Sequence, residues 1–281
     1  MDDLEKTHPR ALLSAWGLRP KKKFGQNFLM DSGAAHRIAR LSVIDAPEHP
    51  LVLEIGAGTG VLTQALLDEG AAVTAIEIDT QLVDILRSRE ELHGADIVHA
   101  DAMQFDYDAY AENGRWYAAG NLPYNVATPL MIQLVEMERG PDAVTVMIQK
   151  DVADRLAAKP GTAAYGSLSI AVQYAMRVER AFTLGPRAFY PPPNVDSTVV
   201  RLVRRTEPAV QPRNLALFRK VVRAAFAYRR KTLANSLALA LGIERARIAE
   251  AIAASSLSTE SRGEQLDLND FCRLADSLAG E

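Results

Sequence analysis

A chain of 281 residues with 48% hydrophobic side chains can bury the cores of one large domain and a smaller one. Its net charge of −3 points to no nucleic-acid partner, and its one cysteine, Cys272, excludes an intrachain disulfide and suits a reducing compartment. No stretch approaches the roughly 20 apolar residues needed to cross a bilayer, and residues 1–5 are acidic, unlike a signal peptide, so a cytoplasmic protein is expected.

Residues 1–20 are polar and mixed, a loose arm or a short helix, and residues 32–41 read as a helix capped by Asp31 or Ser32. From residue 51 strands alternate with helices. Leu51–Ile55 is apolar except for Glu54, the pattern of a strand buried on both faces. A helix over 61–67, a strand over 73–78 and a helix over 81–89 follow. Residues 97–99, 116–120 and Ala143–Gln149 are further strands, most of them separated by helical segments. This alternation predicts a mostly parallel sheet with helices on both faces. Two late strands, 182–184 and 198–203, flank the Pro-rich loop 186–194, and their closeness predicts an antiparallel addition at one edge. Composition changes after Arg205. Residues 207–212 read as a linker, and 213–281 carry only helical periodicity. The expected domains are therefore 1–205, an α/β domain with an N-terminal arm, and 206–281, a small all-helical domain.

The charge is unevenly spread. Residues 48–112 hold fourteen acidic side chains against two basic ones, Arg87 and Arg89, whereas 201–231 hold ten basic ones and a single acid, Glu207. The acidic block reads as solvated surface. The basic block points to a partner.

Chemistry concentrates where strands end. Gly56, Gly58 and Gly60 follow the first strand of the alternation and open a helix, a turn in which backbone can approach a ligand closely. The spacing G-x-G-x-G is not the dinucleotide fingerprint G-x-G-x-x-G, and no P-loop lysine follows, which argues against NAD and ATP. Glu77 ends the next strand, placed to accept hydrogen bonds from ribose hydroxyls. Asp79 is a weaker candidate for that role and a better helix cap. Asp101, with Ala102, ends the third strand, where a carboxylate can take an adenine amino group. Asn121-Leu122-Pro123-Tyr124 ends the fourth. An amide, a rigid turn and an aromatic ring within four residues suit a pocket that grips the amino group of a flat base, although Asn and Pro also make an ordinary turn. Four such positions at successive carboxyl ends of an open α/β sheet mark a ligand crevice.

These motifs together resemble the small-subunit ribosomal RNA adenine dimethyltransferases, a family of class I S-adenosylmethionine-dependent methyltransferases. KFGQNFL at 23–29, NLPY at 121–124, FYPPPNVDS at 189–197, FAYRRKTL at 226–233 and RGEQL at 262–266 are similar to that family's signatures, and the resemblance runs from about residue 20 to the end. One departure is Ala100, where the family has glycine before the carboxylate. The resemblance implies a Rossmann-like methyltransferase sheet, with S-adenosylmethionine bound at Gln26, Asn27, Leu29, Gly56, Gly58, Glu77, Asp101, Ala102 and Asn121. The product would be S-adenosylhomocysteine. It implies catalytic roles for Asn121, Leu122, Pro123, Tyr124 and Phe189, and as partner the small ribosomal subunit, through its 16S ribosomal RNA precursor. The target would be two adjacent adenosines in the 3′-terminal hairpin loop.

The residue types suit that reaction. A sulfonium methyl is already electrophilic, so no metal is expected. N6 of adenine is a poor nucleophile because its lone pair is delocalised. If Asn121 Oδ1 and the Leu122 carbonyl each accept one N6–H, the nitrogen is drawn toward tetrahedral geometry, by orientation and electrostatics rather than acid–base work. Pro123 stiffens the turn and removes a competing donor. Tyr124 stacks on the base, and Phe189 covers its other face by analogy with the family; as a residue read alone, Phe189 is a core aromatic. Stacking contributes about 1–3 kcal/mol per base, comparable with the few kcal/mol needed to extrude a nucleotide.

On a helical wheel over 213–228, Arg219, Lys220, Arg223 and Arg230 share one side, while Phe218, Val221, Val222, Ala225 and Phe226 share the other. Arg229 would fall on the apolar side, so the helix is expected to end near Ala227 or Tyr228, leaving Arg229, Arg230 and Lys231 as a basic corner. With Lys21, Lys22 and Lys23 they are the expected phosphate contacts, flanking the pocket mouth. The chain is expected to act as a monomer. Two alternatives stay open: a large-subunit ribosomal RNA methyltransferase conferring antibiotic resistance, and an assembly factor that keeps the fold without catalysis. A DNA adenine methyltransferase fits less well, since those carry D/N-P-P-Y.

Overall fold

Short β-branched and apolar runs supply nine strands among the described residues: Phe28–Leu29 (β1), Leu51–Ile55 (β2), Ala72–Glu77 (β3), Asp96–His99 (β4), Trp116–Asn121 (β5), Ala143–Gln149 (β6), Met176–Leu184 (β7), Phe189–Tyr190 (β8) and Ser197–Arg204 (β9). The computed structural model describes residues 9–124, 126–228 and 230–279. Seven strands form one sheet in the order β4-β3-β2-β5-β6-β9-β7. β4, β3, β2, β5 and β6 are mutually parallel, and β9 runs antiparallel to β6, pairing Ala143 with Val203 and Gln149 with Ser197. This is the α/β sheet with an antiparallel edge addition that the alternation predicts. β7 is longer than residues 182–184: it begins at Met176, and its charged residues Arg177, Glu179 and Arg180 are exposed, as an edge strand allows. β1 and β8 form a separate two-stranded antiparallel pair.

The chain divides into two units. The first comprises the described residues up to Ala153 together with Val178–Arg204, and the second Asp154–Arg177 with the described residues from Arg205 onward. In the first unit the helices are Pro9–Ala15 (α1), Ser32–Val43 (α2), Val61–Asp68 (α3), Thr80–Ser88 (α4), Tyr107–Ala111 (α5) and Ala127–Glu136 (α6); Lys150–Leu156 (α7) crosses the division. Asp31, Asp79 and Asp106 cap α2, α4 and α5 by accepting from Ala34, Gln81 and Ala109 N–H, satisfying donors that a helix start leaves open. The core is continuous through β2, β3 and β5, where Val52, Leu53, Ala75, Ile76, Ala118 and Ala119 are at most 1% exposed. Burying each large aliphatic side chain contributes about 1.5–3 kcal/mol.

The second unit holds Ser167–Ala175 (α8), Leu215–Ala227 (α9), Leu233–Leu241 (α10), Arg245–Ala254 (α11) and Leu268–Ala279 (α12). The α9 stripe is buried as the wheel predicts, with Phe218, Val221, Val222 and Ala225 packed among Leu237, Ile248, Phe271 and Leu274. A single boundary at 205/206 does not describe this division, because Asp154–Arg177 packs with the helices. The reason is a set of distant hydrogen bonds: Tyr165 Oη donates to Leu266 O at 2.9 Å, Gly161 N–H to Glu264 O at 2.7 Å, and Ala209 N–H to Tyr174 O at 2.9 Å. The RGEQL segment, 262–266, thus has a structural use in anchoring the 154–177 excursion.

Candidate active site

The parallel strands deliver their carboxyl ends to one rim. After β2 the chain turns through Gly56, Gly58 and Gly60, with φ of +77°, +59° and +83°. A side chain at Gly60 would also collide with Leu92 and Leu86, its Cβ 2.5 Å from the former. Gly58 N–H donates to Glu77 Oε2 at 2.9 Å, while Glu77 Oε1 accepts the Ile78 and Asp79 N–H groups, both at 3.0 Å. One buried carboxylate therefore ties the glycine turn to the end of β3. Burial raises its pKa, and these backbone donors partly offset the rise.

Behind it Glu54 is fully buried and accepts Thr63 Oγ1–H at 2.5 Å. Burial, opposed by that hydrogen bond and reinforced by the charge of Glu77, pushes its carboxyl from 4.5 up to about 7. A native value above the unfolded one means that the group's contribution to stability is complete below about 4.5 and lost as pH rises through 7. Glu54→Gln keeps an acceptor for Thr63 without the titration. Between pH 5 and pH 8 the unfolding free energy of the wild type is expected to fall by roughly 2–3 kcal/mol more than that of the variant. Parallel denaturation profiles across that range would refute the assignment.

The segment from Lys21 to Leu29 straps across this rim. Lys21 Nζ meets Asp79 Oδ1 at 2.7 Å, Gln26 Nε2 donates to Asp79 Oδ2 at 3.1 Å, and Lys21 N–H donates to Gln26 Oε1 at 2.7 Å. Burial alone would raise the Asp79 pKa, but the hydrogen bonds and charge of these partners hold it low. Asp79 is thus a cap and a strap anchor. Phe28 lies against Gly58, where an added Cβ would stand 3.1 Å from its ring.

At the end of β5 Asn121 Nδ2 donates to Asn27 O at 2.8 Å. That bond sets the amide: the nitrogen faces the strap, so Oδ1 is the atom left to accept from a ligand. Leu122 N–H donates to Met147 O at 3.1 Å, and the Pro123 carbonyl accepts the Val126 and Ala127 N–H groups, both at 3.1 Å, starting α6. Tyr124 Oη lies 3.0 Å from Ser197 Oγ, and burial raises its phenol pKa against that hydrogen bond.

The strap, the glycine turn, Glu77, Asp101 and residues 121–124 line one cavity of about 300 Å³. Among the residues expected to hold the cofactor, Gln26, Asn27, Leu29, Gly56, Gly58, Glu77, Asp101, Ala102 and Asn121 all line it. The Gln26 amide is engaged by Lys21 and Asp79, and Asp101 Oδ1 accepts Met103 N–H at 2.9 Å.

Phe189 does not line it. It is 1% exposed within the sheet core, paired through β8 with Leu29, and the strand alternation that turns it inward sends Tyr190 the other way. In this structure Phe189 is a core aromatic. Sequence reasoning overlooked Phe24, Phe28 and Ile78, which do line the cavity. Ile78 had a signal, since it directly follows Glu77 and is apolar at a strand end, where it stays 38% exposed.

Of the expected phosphate contacts, Lys21 is committed to Asp79. Lys23 sits over the Phe24 ring, 4.5 Å from its centroid, and lines the cavity. Lys220, Arg223, Arg230 and Lys231 are exposed and Arg219 is half-buried. Arg229 and the side chain of Lys22 lie outside the described residues. Among the described residues no cluster of His, Cys, Asp and Glu is arranged to hold a metal, and no helix is long and apolar enough to cross a membrane.

Strand order, glycine turn, and an acidic residue closing β3 define a Rossmann-like methyltransferase fold. A dimethyladenosine transferase from Plasmodium falciparum has the same fold, with a TM-score of 0.70 at 24% identity over 88% of this chain and 95% of that one. The 23S rRNA methyltransferase ErmE aligns with a TM-score of 0.66 at 26% identity, covering 90% of this chain and all of that one. The Ribosomal RNA small subunit methyltransferase A of Pseudomonas aeruginosa is 45% identical over 263 residues, 93% of this chain and 95% of that protein. Residues 17–279 match the family described as Ribosomal RNA adenine dimethylase, and the chain belongs to that family. Its reaction is methyl transfer to adenine in ribosomal RNA.

Proposed function

We propose that this enzyme transfers methyl groups from S-adenosylmethionine to N6 of two adjacent adenosines in the 3′-terminal hairpin loop of small-subunit ribosomal RNA, as a cytoplasmic monomer. The observation that carries the reading is the Asn121 amide, whose nitrogen is held by Asn27 O and whose oxygen is left as an acceptor. The higher identity to a small-subunit methyltransferase than to a 23S rRNA one favours the small subunit over the large.

The cavity fits the methyl donor. A Cβ at Gly56 would stand 3.8 Å from Asn121 O and 3.9 Å from Pro123 Cδ, in the gap between the glycine turn and the acceptor turn. Glu77 is a prearranged carboxylate for a ribose diol, Asp101 an acceptor for an adenine amino group, and Ile78 an apolar face for the ring. S-adenosylmethionine supplies, when bound, an electrophilic methyl on a sulfonium. The residues here orient the acceptor: Asn121 Oδ1 and the Leu122 carbonyl take the two N6–H bonds, pulling the nitrogen lone pair out of conjugation. Tyr124 holds the base by stacking. Neither needs to change its protonation state: the S–C bonding pair stays on sulfur as S-adenosylhomocysteine forms, and the methylated N6 releases one proton to water after transfer, so geometry supplies the acceleration.

Unmethylated small and large subunits incubated with labelled S-adenosylmethionine should show label on two adjacent adenosines near the small-subunit 3′ end. Label on large-subunit RNA alone would overturn the reading. The exposed cations of the helical unit are proposed to bind phosphate. Replacing Lys220, Arg230 and Lys231 by Ala should weaken RNA binding regardless of sequence and flatten the salt dependence by about 0.7–0.9 per lost contact. An unchanged slope would remove these side chains from the interface.

A further inference from the structure

The hydroxyl of Tyr124 has no part in the chemistry above, yet like the Asn121 amide it has a partner from a distant motif. Ser197 Oγ lies 3.0 Å from it, across 73 residues of sequence. The topology explains the meeting. β6 stands between β5 and β9, and β9 runs antiparallel, so the first residue of β9 arrives at the rim where β5 ends. Ser197 is 0% exposed, so water does not compete for its hydroxyl. Its neighbourhood is held on both sides: Ser197 pairs with Gln149, Asp196 O accepts Lys150 N–H at 3.0 Å, and the side-chain hydroxyl of Thr198 lies 3.0 Å from that of Thr183.

We propose that Ser197 is a positioning residue that fixes the ring of Tyr124 at the plane in which it stacks on the target base. The inference rests on the reading of Tyr124 as the stacking ring. A tyrosine has two side-chain torsions, and stacking by itself constrains its plane only while a base is present. A partner at the far tip, a hydroxyl built into a sheet strand, holds χ1 and the ring axis, and because a phenol hydroxyl bonds preferentially in the plane of its ring, it also biases χ2 before the base arrives. Functional groups set within about half an ångström depend on such support. This gives the serine of the FYPPPNVDS segment a part in catalysis through Tyr124, whereas the phenylalanine of the same segment serves the core.

The test is a double-mutant cycle with Ser197→Ala and Tyr124→Phe, both of which keep the ring and the strand. Each variant is expected to lower kcat on small-subunit RNA about tenfold, the scale of one hydrogen bond. The double variant should fall no further than either single one, and calorimetric affinity for S-adenosylmethionine should stay within about twofold of wild type. A merely structural role for Ser197 would lower cofactor affinity and thermal stability, and its loss would multiply with that of Tyr124→Phe. Multiplicative losses, wild-type kcat in either variant, or weakened cofactor binding in Ser197→Ala would each overturn the inference while leaving the proposed reaction intact. A wild-type protein that labels no ribosomal RNA would overturn the reaction and the inference with it.

Discussion

Asn121→Ala is expected to lower the rate of methyl transfer by about 10²–10³-fold, the cost of deleting one prearranged polar group aimed at a reacting centre. The side chain has two separate jobs. Its nitrogen ties β5 to the strap through Asn27 O, and its oxygen accepts from the target amine under the proposed mechanism. Asn121→Asp separates them. It keeps an acceptor toward the base but sets a carboxylate oxygen against the Asn27 carbonyl, so the strap contact turns repulsive. The alanine variant should lose kcat with the RNA dissociation constant little changed. The aspartate variant should lose S-adenosylmethionine affinity as well, because Asn27, Phe28 and Leu29 wall the same cavity. Single-turnover rates paired with calorimetric titration of the cofactor separate the two effects. An alanine variant with near wild-type kcat would remove Asn121 from the chemistry.

Glu77→Gln is expected to unfold more easily by about 2–4 kcal/mol and to bind S-adenosylmethionine at least tenfold more weakly. Both oxygens of Glu77 serve backbone donors, Oε2 for Gly58 and Oε1 for Ile78 and Asp79. A glutamine has one oxygen, so its amino group must face either Gly58 N–H or the Ile78–Asp79 pair, donor against donor, at a position 6% exposed. Hydrogen bonds to a charged group contribute about 1.5–3 kcal/mol each, and an orphaned buried donor costs a further 1–3 kcal/mol. The damage reaches the cofactor site because the lost bond releases the glycine turn. Denaturant unfolding and cofactor titration check both numbers. A variant of wild-type stability would mean that the carboxylate is not what joins the turn to β3.

Much of this was legible locally. Leu51–Ile55 and Ala143–Gln149 read as buried strands because every residue but one is apolar or small and uncharged, and the structure ends them at those residues. The α9 helix stops at Ala227, as the wheel requires once Arg229 would turn inward. The glycine turn, Glu77, Asp101 and Asn121 could be placed at strand ends because alternation alone puts carboxyl ends on one rim. Other features had no local signal. Phe189 faces the core because β8 pairs with β1, a partner 160 residues earlier. Lys21 reads as a free cation until Asp79, 58 residues on, is seen beside it. Residues 154–177 join the helical unit through Glu264 and Leu266, which no composition shift announces.

By itself, then, the sequence determined the layered α/β architecture and the chemical groups set along its rim, because hydrophobic period and turn chemistry are properties of neighbouring residues. Only the tertiary structure decided how those groups are aimed: which end of the Asn121 amide is left for a ligand, which aromatic rings meet the cavity, and which lysine is already spent. Each of those outcomes depends on a hydrogen bond or ion pair to a residue dozens of positions away, and direction at a site is set by such partners, not by the residue's own neighbours.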